Sequence, residues 1–169
     1  SDLERVYVRD RAWHEANRID LRLATRVTAA DFAGKTVTLD PGGELSYDKL
    51  LLATGGRPNP LQCEGAAGSR ALTNFQYLDE TRWMVERLAE AKTAVVMGGS
   101  FIGYELAEAF AYRKVETHWL MRGPRFLRRA LDEGGGQVVT ALAEDAGVHL
   151  RYDEAIAKLE ARGARAAVT

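Results

Sequence analysis

Cysteine is nearly absent: Cys63 stands alone among 169 residues. That excludes an intramolecular disulfide framework, a CxxC redox pair and a zinc site built on several thiolates, and it suits a reducing compartment. Long apolar runs are also missing, none exceeding the four residues of Leu50 to Ala53, whereas a bilayer span takes roughly 20. Charge of one sign is not in excess, the net charge being -1, which argues against a basic nucleic-acid binder and against an acidic tail. The opening Ser1-Asp2-Leu3-Glu4-Arg5 holds no signal-peptide core. The expectation is a cytoplasmic protein with neither a membrane nor a nucleic acid as partner. What is present, 46% hydrophobic and 28% charged residues, describes a soluble globular chain of about one domain's length.

The first third alternates short strand signals with turns. Ile19, Leu21 and Leu23 share one face, as do Val37 and Leu39, and Pro41-Gly42-Gly43 breaks the run, so a small antiparallel meander is expected. Leu50-Leu51-Leu52-Ala53 is unbroken, as in a strand covered on both faces, and Thr54-Gly55-Gly56-Arg57-Pro58 stops it. A stretch rich in proline, glycine and small residues then reads as a linker.

From Asp79, an expected N-cap, Met84, Val85, Leu88 and Ala91 form a helical stripe leading into the strand Ala94 to Met97. After a glycine turn, Ile102, Leu106, Ala109 and Phe110 recur at helical spacing, and Val115 to Met121 reads as a strand. Val138, Ala141 and Leu142 mark a further helix that Gly147 closes, and Val148 to Tyr152 is a third strand. This order is a βαβαβ unit with parallel pairing and right-handed crossovers.

Gly98-Gly99-Ser100-Phe101-Ile102-Gly103 lies where a dinucleotide site needs a GxGxxG turn, between an apolar strand and an amphipathic helix. The first glycine allows the tight turn and the third lets helix and strand pack closely. Free N–H groups at the helix start face the phosphates. Ser100 occupies the second glycine position, where its hydroxyl either displaces the pyrophosphate slightly or adds a hydrogen bond. Glu105, just past the last glycine, either favours the helix dipole or contacts a ligand.

An NAD site calls for an acidic residue near the end of the second strand, yet that stretch is His118-Trp119-Leu120-Met121-Arg122. Arg125, Arg128 and Arg129 follow. Guanidinium groups with no carboxylate beside them favour a 2′-phosphate, hence NADP over NAD, while the alternative is a solvated arginine face. His14, His118 and His149 have no helical spacing for a metal site, and no metal is expected. Gly134-Gly135-Gly136 lacks the Lys-Ser/Thr of a P-loop and reads as a helix entry. Trp83 and Trp119 fall in apolar patterns that favour core packing.

Two segments carry a family resemblance. Tyr47 to Pro58, containing Ala53-Thr54-Gly55, resembles the ATG motif of the FAD-dependent pyridine nucleotide-disulfide oxidoreductases, the two-dinucleotide-binding flavoproteins that include ferredoxin, rubredoxin and glutathione reductases. Val95 to Ala107 is similar to their NAD(P) fingerprint, with Glu105 at the glutamate near the nicotinamide ribose. Arg122 and Arg128 resemble the pair that binds the 2′-phosphate in glutathione-reductase-type members. The resemblance implies an α/β fold with a Rossmann-like parallel sheet and helices on both faces, preceded by a partial FAD-domain segment containing the small antiparallel meander. It divides the chain into a partial FAD-binding segment over 1–60 ending in the ATG motif, a linker over 61–78, and an NAD(P)-binding domain over 79–169 that is incomplete at its C-terminus.

Nothing before residue 50 resembles the family's own FAD fingerprint, so a fragment of a longer enzyme is expected, inactive alone and binding flavin weakly or not at all. In the intact protein the resemblance implies hydride transfer from NAD(P)H, NADPH favoured, to FAD, and from there to an acceptor the sequence does not name. No catalytic side chain is obligatory for that step. A homodimer is an open option. A stand-alone dinucleotide-binding or sensing module is the alternative, and it has no use for the ATG segment. A short-chain dehydrogenase is set aside because no tyrosine is followed by lysine four residues later.

Overall fold

Period-two patterning around Val37 and Leu39 buries one face only if strands lie on both sides of it, and the chain supplies both. The structure, a computed structural model, describes residues 7–69, 71–162 and 165–169; the opening Ser1-Asp2-Leu3-Glu4-Arg5 segment lies within the six N-terminal residues outside them. Two compact units emerge, Ser1–Gly55 and Gly56–Thr169.

The first unit begins with helix α1 (Arg11–Ala16), whose N-cap Asp10 accepts from the Trp13 N–H at 2.8 Å. Strands β1 (Arg26–Asp31), β2 (Thr36–Asp40) and β3 (Gly43–Ser46) follow as an antiparallel meander with β2 central, and Val37 and Leu39 are its buried residues. Gly42 and Gly43, at φ of +134° and +77°, make the tight turn between β2 and β3. Two expected strands do not form. Ile19 to Leu23 and Leu50 to Ala53 have no ladder partner among the described residues, and Leu51 is 87% exposed. An apolar run becomes a strand only when neighbouring backbone satisfies its N–H and C=O groups.

The second unit contains the βαβαβ order. Helix α2 (Leu78–Leu88), strand β4 (Thr93–Met97), helix α3 (Phe101–Tyr112), strand β5 (Glu116–Met121), helix α4 (Glu133–Asp145) and strand β6 (Val148–Tyr152) form a parallel sheet β4-β5-β6 with its helices. A hairpin of β7 (Leu159–Arg162) and β8 (Arg165–Val168) ends the chain, an element the periodicity did not mark.

Helix α2 starts one residue before Asp79. Tyr77 is the N-cap, Glu80 accepts from the N–H groups of Gln76 and Tyr77, and Asp79 pairs instead with Arg82 at 3.1 Å. Helix α4 is present but turned from its expected face: Val138 and Leu142 are 61% and 57% exposed, while Gly136 and Ala143 are buried. Small residues let that face approach the sheet more closely than valine or leucine would.

Alternation along β5 divides the packing. Trp119, Met121 and Val115 join Val96, Ala107, Phe110, Ala143 and Met84 in the main core. Leu120, pointing the other way, packs with Ala66, Ile156 and Leu159, and Cys63 lies partly buried beside them. Residues 63–66 are tied here by backbone bonds, Glu64 N–H to the Ala157 carbonyl and Leu159 N–H to the Glu64 carbonyl. No helix among the described residues is long and apolar enough to cross a membrane.

Candidate functional site

The site begins where β4 ends. Gly98 takes φ of +133°, a conformation open to glycine, and its N–H donates to the Leu120 carbonyl at 2.9 Å, which anchors the turn to β5. Its own carbonyl accepts from Trp119 Nε1 at 2.8 Å. That same carbonyl fixes Gly103: a Cβ there would lie 2.1 Å from the Gly98 oxygen and 3.1 Å from Trp119 Nε1. Helix α3 therefore crosses the turn at glycine distance, the close approach expected of the third glycine.

Ser100 is the N-cap of α3, and its hydroxyl faces the Gly103 N–H at 3.5 Å. The serine thus turns toward the helix backbone. The N–H groups of Gly99, Ser100, Phe101 and Ile102 find no acceptor among the described residues. Together with the positive end of a 12-residue helix, they make the kind of terminus that suits an anion. Open space at Gly98, where an added Cβ would meet nothing within 4 Å, beside donors left unused fits a dinucleotide pyrophosphate. Glu105 is exposed and is the fifth residue of α3, beyond the first turn, which weakens its dipole explanation.

The loop after β5 lies against the turn. Leu127 N–H donates to the Gly99 carbonyl at 3.1 Å, so the segment carrying the arginines is bonded directly to the glycine segment. Arg122 and Arg128 are exposed, and neither pairs with a carboxylate among the described residues. The stem of Arg128 crosses Gly123, where a Cβ would come 2.8 Å from its Cδ. Arg125 differs from the rest of the cluster: Nε donates to the Leu131 carbonyl at 3.1 Å and Nη2 to the Arg128 carbonyl at 3.2 Å. Met121 at the strand end is buried and no carboxylate replaces it.

Ala53, Thr54 and Gly55 belong to the first unit. They are exposed and outside regular structure, with Gly55 at φ of +72°. Trp119 and Leu127 escaped the sequence reading as parts of the site, and Arg125 was read only as one of a basic cluster, because all three act by donating to backbone carbonyls. Gly123 and Gly136, each under an arginine stem, were the available signal.

His118 and His149 stand in register on β5 and β6, with rings stacked at 4.9 Å, and Glu116 lies 3.4 Å from His118. Cross-strand register brings them together, which a search for helical spacing does not see. An open groove of about 490 Å³ runs beside them, lined by Glu144, Arg151, Tyr152 and Glu154 among others. Among the described residues no group of three or more His, Cys, Asp or Glu is placed to hold a metal.

A parallel βαβαβ unit whose first crossover helix opens on a donor-rich glycine turn has the architecture of the dinucleotide-binding α/β domains. The chain belongs to the pyridine nucleotide-disulphide oxidoreductase family, whose model matches residues 5–169. It is 35% identical over 146 residues to the ferredoxin–NAD(+) reductase component of the anthranilate 1,2-dioxygenase system of Burkholderia cepacia, covering 86% of this chain and 36% of that protein. Putidaredoxin reductase of Pseudomonas putida is 33% identical over 151 residues, covering 88% of this chain and 36% of that one. Among solved structures, the covalent putidaredoxin reductase–putidaredoxin complex superposes with a TM-score of 0.89 at 28% identity, over 99% of this chain and 42% of that chain. The chain thus spans little more than a third of the length of these two reductases.

Proposed function

We propose that the intact protein is an FAD-dependent NAD(P)H oxidoreductase in which this chain supplies the nicotinamide dinucleotide site. Gly98, Gly99, Ser100, Phe101, Ile102 and Gly103 seat the pyrophosphate, Glu105 lies toward the nicotinamide ribose, and Arg122 and Arg128 take the adenosine 2′-phosphate. Ala53, Thr54 and Gly55 serve the flavin nucleotide in the whole enzyme. The bound nicotinamide and flavin supply hydride transfer; the residues named here bind and orient. The relatives named for ferredoxin and putidaredoxin support a small iron-sulfur protein as the acceptor. A cytoplasmic setting belongs to the same proposal, in keeping with the lone thiol.

One observation carries the coenzyme preference: the loop bearing Arg122 and Arg128 is hydrogen-bonded to the glycine turn at Leu127–Gly99, and the last residue of β5 is the buried Met121 where an acid would hold an adenosine ribose. A 2′-phosphate gains charge-assisted hydrogen bonds there, and an unphosphorylated ribose lacks the acid that would hold it. The relatives' names specify NAD(+), which supports NADH as the second reading. Calorimetric titration with each coenzyme separates the two. NADPH is expected to bind about tenfold tighter or more, as one charge-assisted contact implies. Equal affinities, or tighter NADH, remove the role given to Arg122 and Arg128. A binding module without catalysis would show coenzyme binding but no reductase activity once the whole protein is assayed with flavin and acceptor.

A further inference from the structure

We infer that Arg125 is a positioning residue for coenzyme selection, a brace that sets Arg128 and does not itself meet the 2′-phosphate. The role presupposes the coenzyme preference proposed above. Four arginines within eight residues look equivalent in sequence, yet the structure gives them different work. Arg125 has two donors committed to carbonyls of its own loop, Leu131 through Nε and Arg128 through Nη2. Its stem lies over Gly136 in the first turns of α4, where an added Cβ would come 3.0 Å from Arg125 Cδ and 3.2 Å from its Cβ.

These contacts hold the loop between two fixed points. On one side Leu127 is bonded to Gly99, and on the other Leu131 and Ala130 N–H groups close onto the Leu127 carbonyl at 2.9 and 2.7 Å. Arg128 sits between, its carbonyl held by Arg125 and its side chain outward across Gly123. A loop already ordered in the free protein loses less entropy when Arg128 engages an anion, so the brace strengthens binding of the phosphate-bearing coenzyme alone. The forked guanidinium is what allows one side chain to reach two carbonyls; a lysine has the charge but not the fork.

The test uses the full 169-residue chain, titrated with NADPH and with NADH, for Arg128→Met, Arg125→Met, Arg125→Lys, the double variant Arg125→Met with Arg128→Met, and Gly136→Ala, with a thermal melt of each. Arg128→Met is expected to cost about tenfold in NADPH affinity, the scale of one charge-assisted hydrogen bond, and to leave NADH unchanged. Arg125→Met and Arg125→Lys should both shift the NADPH to NADH ratio in the same direction. The double variant should match Arg128→Met alone, because the two act through one contact. Gly136→Ala, which keeps every arginine and adds a good helix former, should also lower NADPH affinity selectively, and it reports on the brace even where the Arg125 variants fail to fold. Losses that multiply in the double variant, or an Arg125→Lys protein that binds NADPH like the wild type, overturn the brace and make Arg125 a charge at the site. An unshifted ratio in Gly136→Ala likewise counts against it. An unchanged ratio in Arg128→Met is a separate result: it removes the coenzyme preference itself, and the brace with it.

Discussion

Trp119 Nε1 donates to the Gly98 carbonyl at 2.8 Å from a ring that is 0% exposed. The largest fully buried side chain of β5 thus holds the first residue of the glycine turn, and that oxygen leaves room for Gly103 but for no side chain there. Core packing and site geometry are one structure at this point. Trp119→Phe keeps most of the buried area and removes the donor, leaving the carbonyl unpaired. The expected cost is about 1–3 kcal/mol, read by denaturant unfolding, with weaker coenzyme binding in the same variant.

Gly103→Ala attacks the contact from the other side. A Cβ at 2.1 Å from the Gly98 oxygen forces turn and helix apart, at about 1–3 kcal/mol or more for overpacking. Coenzyme affinity should fall with stability, whereas Gly134→Ala, which meets only the distant Asp132 oxygen at 3.8 Å, should leave affinity intact. Equal effects of the two substitutions on binding would contradict the contact's importance.

Ser100 can be tested in both directions. As N-cap of α3 its removal by Ser100→Ala should cost about 0.5–1 kcal/mol, whereas Ser100→Gly should cost only a few tenths. Because the hydroxyl faces the helix, neither change should weaken coenzyme binding by more than about twofold. A large loss in Ser100→Gly would show that the hydroxyl serves the ligand.

Glu80 gives a pH dependence. Its carboxylate accepts from the Tyr77 and Gln76 N–H groups at 2.9 and 2.8 Å, and these bonds hold its carboxyl below the ordinary glutamate range. A depressed value in the folded state means that the unfolded chain takes up the proton first. The stabilisation is therefore complete above the ordinary glutamate range and disappears as pH falls through the lowered folded value. Melting curves of the wild type and Glu80→Gln should differ near neutral pH and converge on acidification.

Much of the second unit was legible because its signals are local. Strand β4 contains a short apolar run, β5 ends in one, β6 alternates Val148, Leu150 and Tyr152 with His149 and Arg151, and the turn after β4 is read from glycines four and five apart. The failures share a cause in what lies elsewhere in the chain. Leu50 to Ala53 carries the same pattern as Ala94 to Met97, but only the latter has a neighbouring strand. The face of α4 was misjudged because Gly136 and Ala143, not Val138 and Leu142, meet the core. For the candidate site, the glycine turn and the arginine cluster were visible from type and spacing, and the family resemblance singled out Arg122 and Arg128 within it. The distinct contacts of Arg125 were not, since its partners are carbonyls, which every residue has.

Backbone amide shifts offer the most direct check on where the diphosphate sits. On adding NADPH to the isotope-labelled chain, the N–H signals of Gly99, Ser100, Phe101 and Ile102 should move first and furthest. Signals from the groove beside His118 and His149 should stay in place. Unmoved turn amides with saturable shifts around that groove would contradict the assignment.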